Sequence, residues 1–90
     1  MEREAARISV SRALVLLRER MSANRAYGAF VHAEQQLERV LHELDCPGLP
    51  PADERQWLDI GLMAVKLFEV SDRELADALM DADYDFKHAT

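Results

Sequence analysis

Cys46 is the chain's one cysteine, so no disulfide can form within it. Small folds that depend on disulfides in oxidising compartments are excluded, and a reducing, cytoplasmic setting is expected. No apolar run reaches the ~18 residues that a membrane-spanning helix needs. The opening MEREAARISV has charges on both sides of its few apolar residues, which does not fit a signal peptide. A glycine-rich phosphate loop is missing as well. Cys46 stands beside Pro47 with no base implied next to it, so nothing activates it as a nucleophile. His32, His42 and His88 lack metal-ligand spacing. Di-metal helical bundles use Glu and His three residues apart. Here Glu38 and His42 are four apart, and Asp85 and His88 are three apart without a second copy. Paired-carboxylate chemistry needs a cleft that packed helices do not imply. No enzyme, cofactor or metal site is therefore expected.

What is present is apolar and acidic. The chain is 49% hydrophobic and 31% charged, too apolar for disorder and too polar for membrane spans. Ninety residues suit one domain, residues 1–90, near the lower end of what folds alone. The net charge of −6 is unevenly placed. Residues 1–50 carry seven acids and seven arginines, so the whole imbalance falls in residues 51–90, where ten acids meet Arg55, Lys66, Arg73 and Lys87. Nucleic acid is disfavoured as a partner because phosphates need a basic stripe. A basic protein partner suits this half, as does simple solubility.

The periodicity predicts an all-α fold, a compact bundle of four helices at about 4–21, 25–44, 52–69 and 72–86. In the first, Ala6, Val10, Ala13, Leu14, Leu17 and Met21 recur at three- and four-residue spacing and make one stripe. Ile8 and Val15 lie off it, beside Arg12 and Glu19. They are covered by the bundle from a second side, simply exposed, or in contact with a partner or a second copy. Asn24 fits a cap for the second helix, although Gly28 weakens its first turns. Phe30, Ala33, Leu37, Val40, Leu41 and Leu44 form that helix's apolar face. Glu34 sits in the same arc and is costly there unless paired or solvated. Its expected partners are Lys66, an arginine of the first helix or a backbone amide; a binding partner is the alternative.

Cys46-Pro47-Gly48-Leu49-Pro50-Pro51 cannot continue a helix. The third helix is apolar nearly all round, from Trp57 to Phe68, with a narrow polar stripe of Arg55, Asp59, Lys66 and Glu69. It is expected at the centre of the bundle or against a partner. Core packing is the default for Leu62 and Met63, and Gly61 allows a neighbouring helix to come close. Ser71-Asp72-Arg73-Glu74 fits a capping box, with Ser71 bonding the Glu74 amide. Leu75, Ala78, Leu79, Ala82 and Phe86 face the core, while Glu74, Asp77, Asp81 and Asp85 fall on a separate acidic stripe. That stripe is either a solvated face or a partner-facing one.

Three segments carry a family resemblance: Arg12-Ala13-Leu14, Ala33-Glu34-Gln35-Gln36-Leu37 and IGLMAVKLFEVSDRELADALMDADY. Gly61, Ala64-Val65-Lys66, Phe68, Asp72, Glu74-Leu75 and Ala78-Leu79 are its most specific points. In these, over Arg12 to Tyr84, the chain resembles the immunity proteins of bacterial type VI secretion that neutralise an NAD(P)+-glycohydrolase effector toxin. The resemblance implies a small helical protein with no activity of its own, which binds the toxin in the cytoplasm and blocks its active-site cleft. Matching positions that could touch the toxin are Glu34, Lys66, Asp72, Glu74, Asp81 and Tyr84. The residues themselves add Asp59, Met63 and Glu69 at the edge of the third helix and Asp77 and Asp85 on the acidic stripe. The competing reading is a helical adaptor or chaperone-like homodimer that uses Ile8 and Val15.

Overall fold

Four α-helices and one short 3₁₀ turn make up the chain in a computed structural model, which describes residues 3–24 and 26–89. They are α1 (Arg3–Ala23), α2 (Gly28–Asp45), the 3₁₀ turn (Ala52–Arg55), α3 (Ile60–Leu67) and α4 (Arg73–Lys87). No strand occurs among the described residues. The all-α, four-helix expectation therefore holds, with changes in the details of α2, α3 and α4. The radius of gyration is 12.4 Å, against about 12 Å for a compact chain of this length.

α1 packs against both α2 and α4, and α4 in turn carries α3 and the 3₁₀ turn. The α1 stripe Ala6, Val10, Ala13, Leu14 and Leu17 is buried, facing Phe30, Ala33, Leu37, Val40 and Leu44 of α2 and Leu75, Ala78, Leu79, Ala82 and Phe86 of α4. Arginines fix the ends. Arg3 donates to the carbonyls of Cys46 (2.7 Å) and Pro47 (3.1 Å). Arg7 donates to the Leu44 carbonyl (3.3 Å) and pairs with Asp45. These bonds serve carbonyls that the end of α2 cannot bond internally, where positive charge also suits the helix dipole. α2 begins at Gly28, later than the predicted start: Ala26 and Tyr27 are not helical, and Tyr27 rather than Asn24 stands at the cap position, without a side-chain cap bond; Arg25 itself lies outside the described residues.

The third helix differs most from expectation. Residues 52–55 form the 3₁₀ turn, 56–59 leave the helical path, and α3 spans only eight residues. Arg55, Leu58 and Ile60 are buried and Trp57 is half-buried. At 100° per residue these four would point all round a continuous helix, so the break lets each turn inward. Arg55, expected on an exposed polar stripe, is instead a buried cap for α4. It donates to the carbonyls of Phe86 (2.9 Å) and Ala89 (2.7 Å), and to that of Pro50 (2.7 Å). Trp57 packs on Phe86, with ring centroids 5.8 Å apart, and under the Arg39 guanidinium at 3.8 Å. Gln36 clamps the broken segment to α2, donating to the Trp57 carbonyl (3.2 Å) and accepting from the Asp59 amide (3.2 Å).

α3 is also not the centre of the bundle. Ile60 and Ala64 are buried, but Leu62, Val65 and Leu67 are exposed. α3 docks along α4 through Gly61, as its small size predicts. The buried Asp83 accepts from the Gly61 amide at 2.9 Å and pairs with Lys87 at 2.9 Å. At the other end, Phe68 stacks on Phe30 (5.6 Å) beside Tyr27. α4 begins at Arg73, with Asp72 rather than Ser71 as its cap. The Asp72 carboxylate accepts from the Leu75 amide, and the Ser71 hydroxyl donates back to Leu67. Asp competes as well as Ser for a cap, and it has Arg20 to hold it.

A methyl group at Gly61 would sit 3.0 Å from both Cγ and Oδ2 of Asp83. The carboxylate is tied on both sides and cannot retreat without losing a bond. Gly61→Ala should therefore lower stability by about 1–2 kcal/mol, despite the gain of ~1 kcal/mol in helix propensity. Urea denaturation of the two proteins tests this; equal stability would show that Asp83 yields freely.

Candidate functional site

α3 and α4 together present an apolar surface. A groove of about 470 Å³ runs between them, lined by Leu58, Leu62, Val65, Met80 and Tyr84 among others. A smaller hollow of about 240 Å³ adjoins it, lined by Asp59, Leu62, Met63, Lys66 and Leu67. Asp59 and Leu62 line both. Leu62 is 59% exposed and Tyr84 58% exposed. Neighbouring large apolar side chains left open to water on one face mark an interaction surface more than a scatter would. Core packing is thus corrected for Leu62, while Met63 is half-buried against the core. Leu62 and Val65 were not among the predicted binding residues; the apolar run that contained them looked like core because nothing in it signalled the break before Ile60.

The predicted site residues separate into groups. Asp59, Met63, Lys66 and Tyr84 meet on this face. Asp59 is also held by His32 at 3.0 Å. Asp77 and Asp81 precede Tyr84 by seven and three residues and share its side of α4. Asp77 pairs with Arg73 at 3.0 Å, and Asp81 has no ion-pair partner among the described residues. Glu69 is exposed in the turn after α3. The other four lie toward α1. Glu34 pairs with Arg18 at 3.1 Å, one of the partners expected for it. Asp72 and Glu74 share Arg20, at 2.8 and 3.0 Å. Asp85 accepts from Ser9. The acidic stripe therefore divides, with Glu74 and Asp85 turned to α1 and Asp77 and Asp81 beside the groove. No cluster of three or more potential metal ligands occurs among the described residues, and no helix there is long and apolar enough to cross a membrane.

A family model, Tsi6, matches residues 5–88. The chain belongs to the Tsi6 family. This is the type VI secretion immunity family that the sequence resembles. Among solved structures, that of Tsi6 from Pseudomonas aeruginosa superposes with a TM-score of 0.84 and is 31% identical, covering 96% of this chain and 88% of that one. A search of the curated proteins finds no match. Family membership makes this chain an immunity-type protein whose partner is a cognate effector protein.

In this Tsi6-family chain the Asp72 carboxylate sits at the junction of α1 and α4. The Arg20 guanidinium hydrogen-bonds Asp72 and holds its carboxyl below the ordinary value of 3.8; burial opposes this and the Leu75 amide assists. A depressed folded-state pKa stabilises the fold fully above the unfolded value and is lost as pH falls through the folded one. Asp72→Asn should thus be less stable than the parent at neutral pH, and the difference should vanish as pH drops well below 3.8. Urea midpoints measured across that range decide it; a gap unchanged by acid would mean that the ion pair is not the source.

Proposed function

We propose that this chain is a single immunity domain that inhibits a cognate antibacterial effector, an NAD(P)+ glycohydrolase, by sealing its active-site cleft. It has no catalytic activity of its own and acts in the cytoplasm of the producing or sister cell. Membership in the Tsi6 family supports the class of partner. The carrying observation for the surface is the open apolar face of α3 and α4, centred on Leu62 and Tyr84.

Burying a Leu- or Tyr-sized side chain on binding contributes about 1.5–3 kcal/mol each, which slows release. The whole −6 imbalance lies in residues 51–90, which include this face, and Asp59, Asp77 and Asp81 stand around it. A cleft that takes a phosphate-bearing dinucleotide is basic, so complementary charge speeds encounter. Inhibition by occupancy needs no reacting group on the immunity protein.

Co-expression with the cognate effector is the direct test. The parent chain should rescue growth and co-purify with the toxin. Leu62→Asp and Tyr84→Ala should each weaken the complex by about tenfold or more. Asp77→Lys with Asp81→Lys should slow association chiefly at low salt. Failure of the parent chain to rescue would sink the function, whereas unchanged affinity in the variants would sink only the surface.

A further inference from the structure

The face of α1 opposite its core stripe is open. Ile8, Arg12, Val15 and Glu19 follow one another at spacings of four, three and four, so they form one line along the helix. Ile8 and Val15 are each 62% exposed. Arg12 and Glu19 are exposed and have no ion pair among the described residues. Other arginines of the same helix are engaged within the fold: Arg7 with Asp45, Arg18 with Glu34 and Glu38, and Arg20 with Asp72 and Glu74. The helix thus leaves one cation and one anion unmatched, on either side of an exposed valine.

We propose that this face is a self-association surface that takes a second copy of the chain in antiparallel register. A two-fold axis close to Val15 sets the two Val15 side chains together. Arg12 lies three residues before Val15 and Glu19 four after it, so reversal of the partner helix places each Arg12 across from the other copy's Glu19. The contact is isologous and closes at two copies. The competing register, with the axis between Ile8 and Val15, pairs those two side chains but brings Arg12 beside Arg12 and Glu4 against Glu19, and like charges oppose it. One helix pair along the ~31 Å of α1 is smaller than a standard stable interface, so the dimer is weak and concentration-dependent. It shares no residue with the α3–α4 groove, so both grooves of a dimer stay open.

Sedimentation equilibrium of the purified chain over a wide concentration range tests this, with circular dichroism to show that every variant stays helical. The parent should form a reversible dimer. Arg12→Glu and Glu19→Arg should each weaken it by about tenfold, because each turns two attractions into repulsions. The double swap should restore it. A parent that is monomeric throughout, or a swap that does not restore association, overturns the proposal. So does loss of protection from the effector in Val15→Glu with a monomeric parent, since the face would then belong to the effector.

Discussion

Asp83 holds α3 to α4, and the candidate site exists because of that contact. An eight-residue helix is too short to persist by itself. α3 is kept in place by Ile60, Ala64 and Phe68 below it and by the buried carboxylate at its first turn, which accepts from the Gly61 amide. Burying a carboxylate is costly unless it is paired and bonded; Lys87 and the amide meet both needs. The absence of a side chain at residue 61 lets the two backbones approach closely enough for that bond. The groove that follows is lined by Gly61, Asp83 and Lys87 themselves, together with Leu62 and Tyr84.

Charge in this molecule divides between scaffold and surface. α1 supplies Arg7, Arg18 and Arg20 to acids of α2 and to the start of α4. Those bonds align three helices and use the acids that lie toward α1. The acids beside the groove are not used by α1: Asp59 pairs with His32 and Asp77 with Arg73, and Asp81 has no ion-pair partner among the described residues. In an immunity-type protein these acids and the exposed apolar side chains of α3 make the surface proposed above to meet the effector.

The regular helices were legible because their buried stripes repeat at three and four residues and their breaks hold proline or a cap. The stripe of α1 and the Leu75–Phe86 face of α4 are buried as the periodicity requires. The segment from Arg55 to Asp59 was not legible. Its residues are adequate helix formers, and it is contacts distant in sequence, with the carbonyls of Phe86 and Ala89, the Phe86 ring and the Gln36 amide group, that hold it off the helical path. Once that helix is broken, Leu62 and Val65 cease to be core and become surface. The acidic stripe was visible as a spacing, but the spacing could not say that Ser9 and Arg20 take Asp85 and Glu74 out of it.

The order of residues alone determined an all-helical chain, its family and the placing of its acidity in the second half, since these rest on local spacing and composition. Tertiary structure decided which apolar side chains are left in water and which acids are free, because both depend on contacts between residues far apart in the chain. A helix knows its own periodicity; only its neighbours settle which side of it is covered.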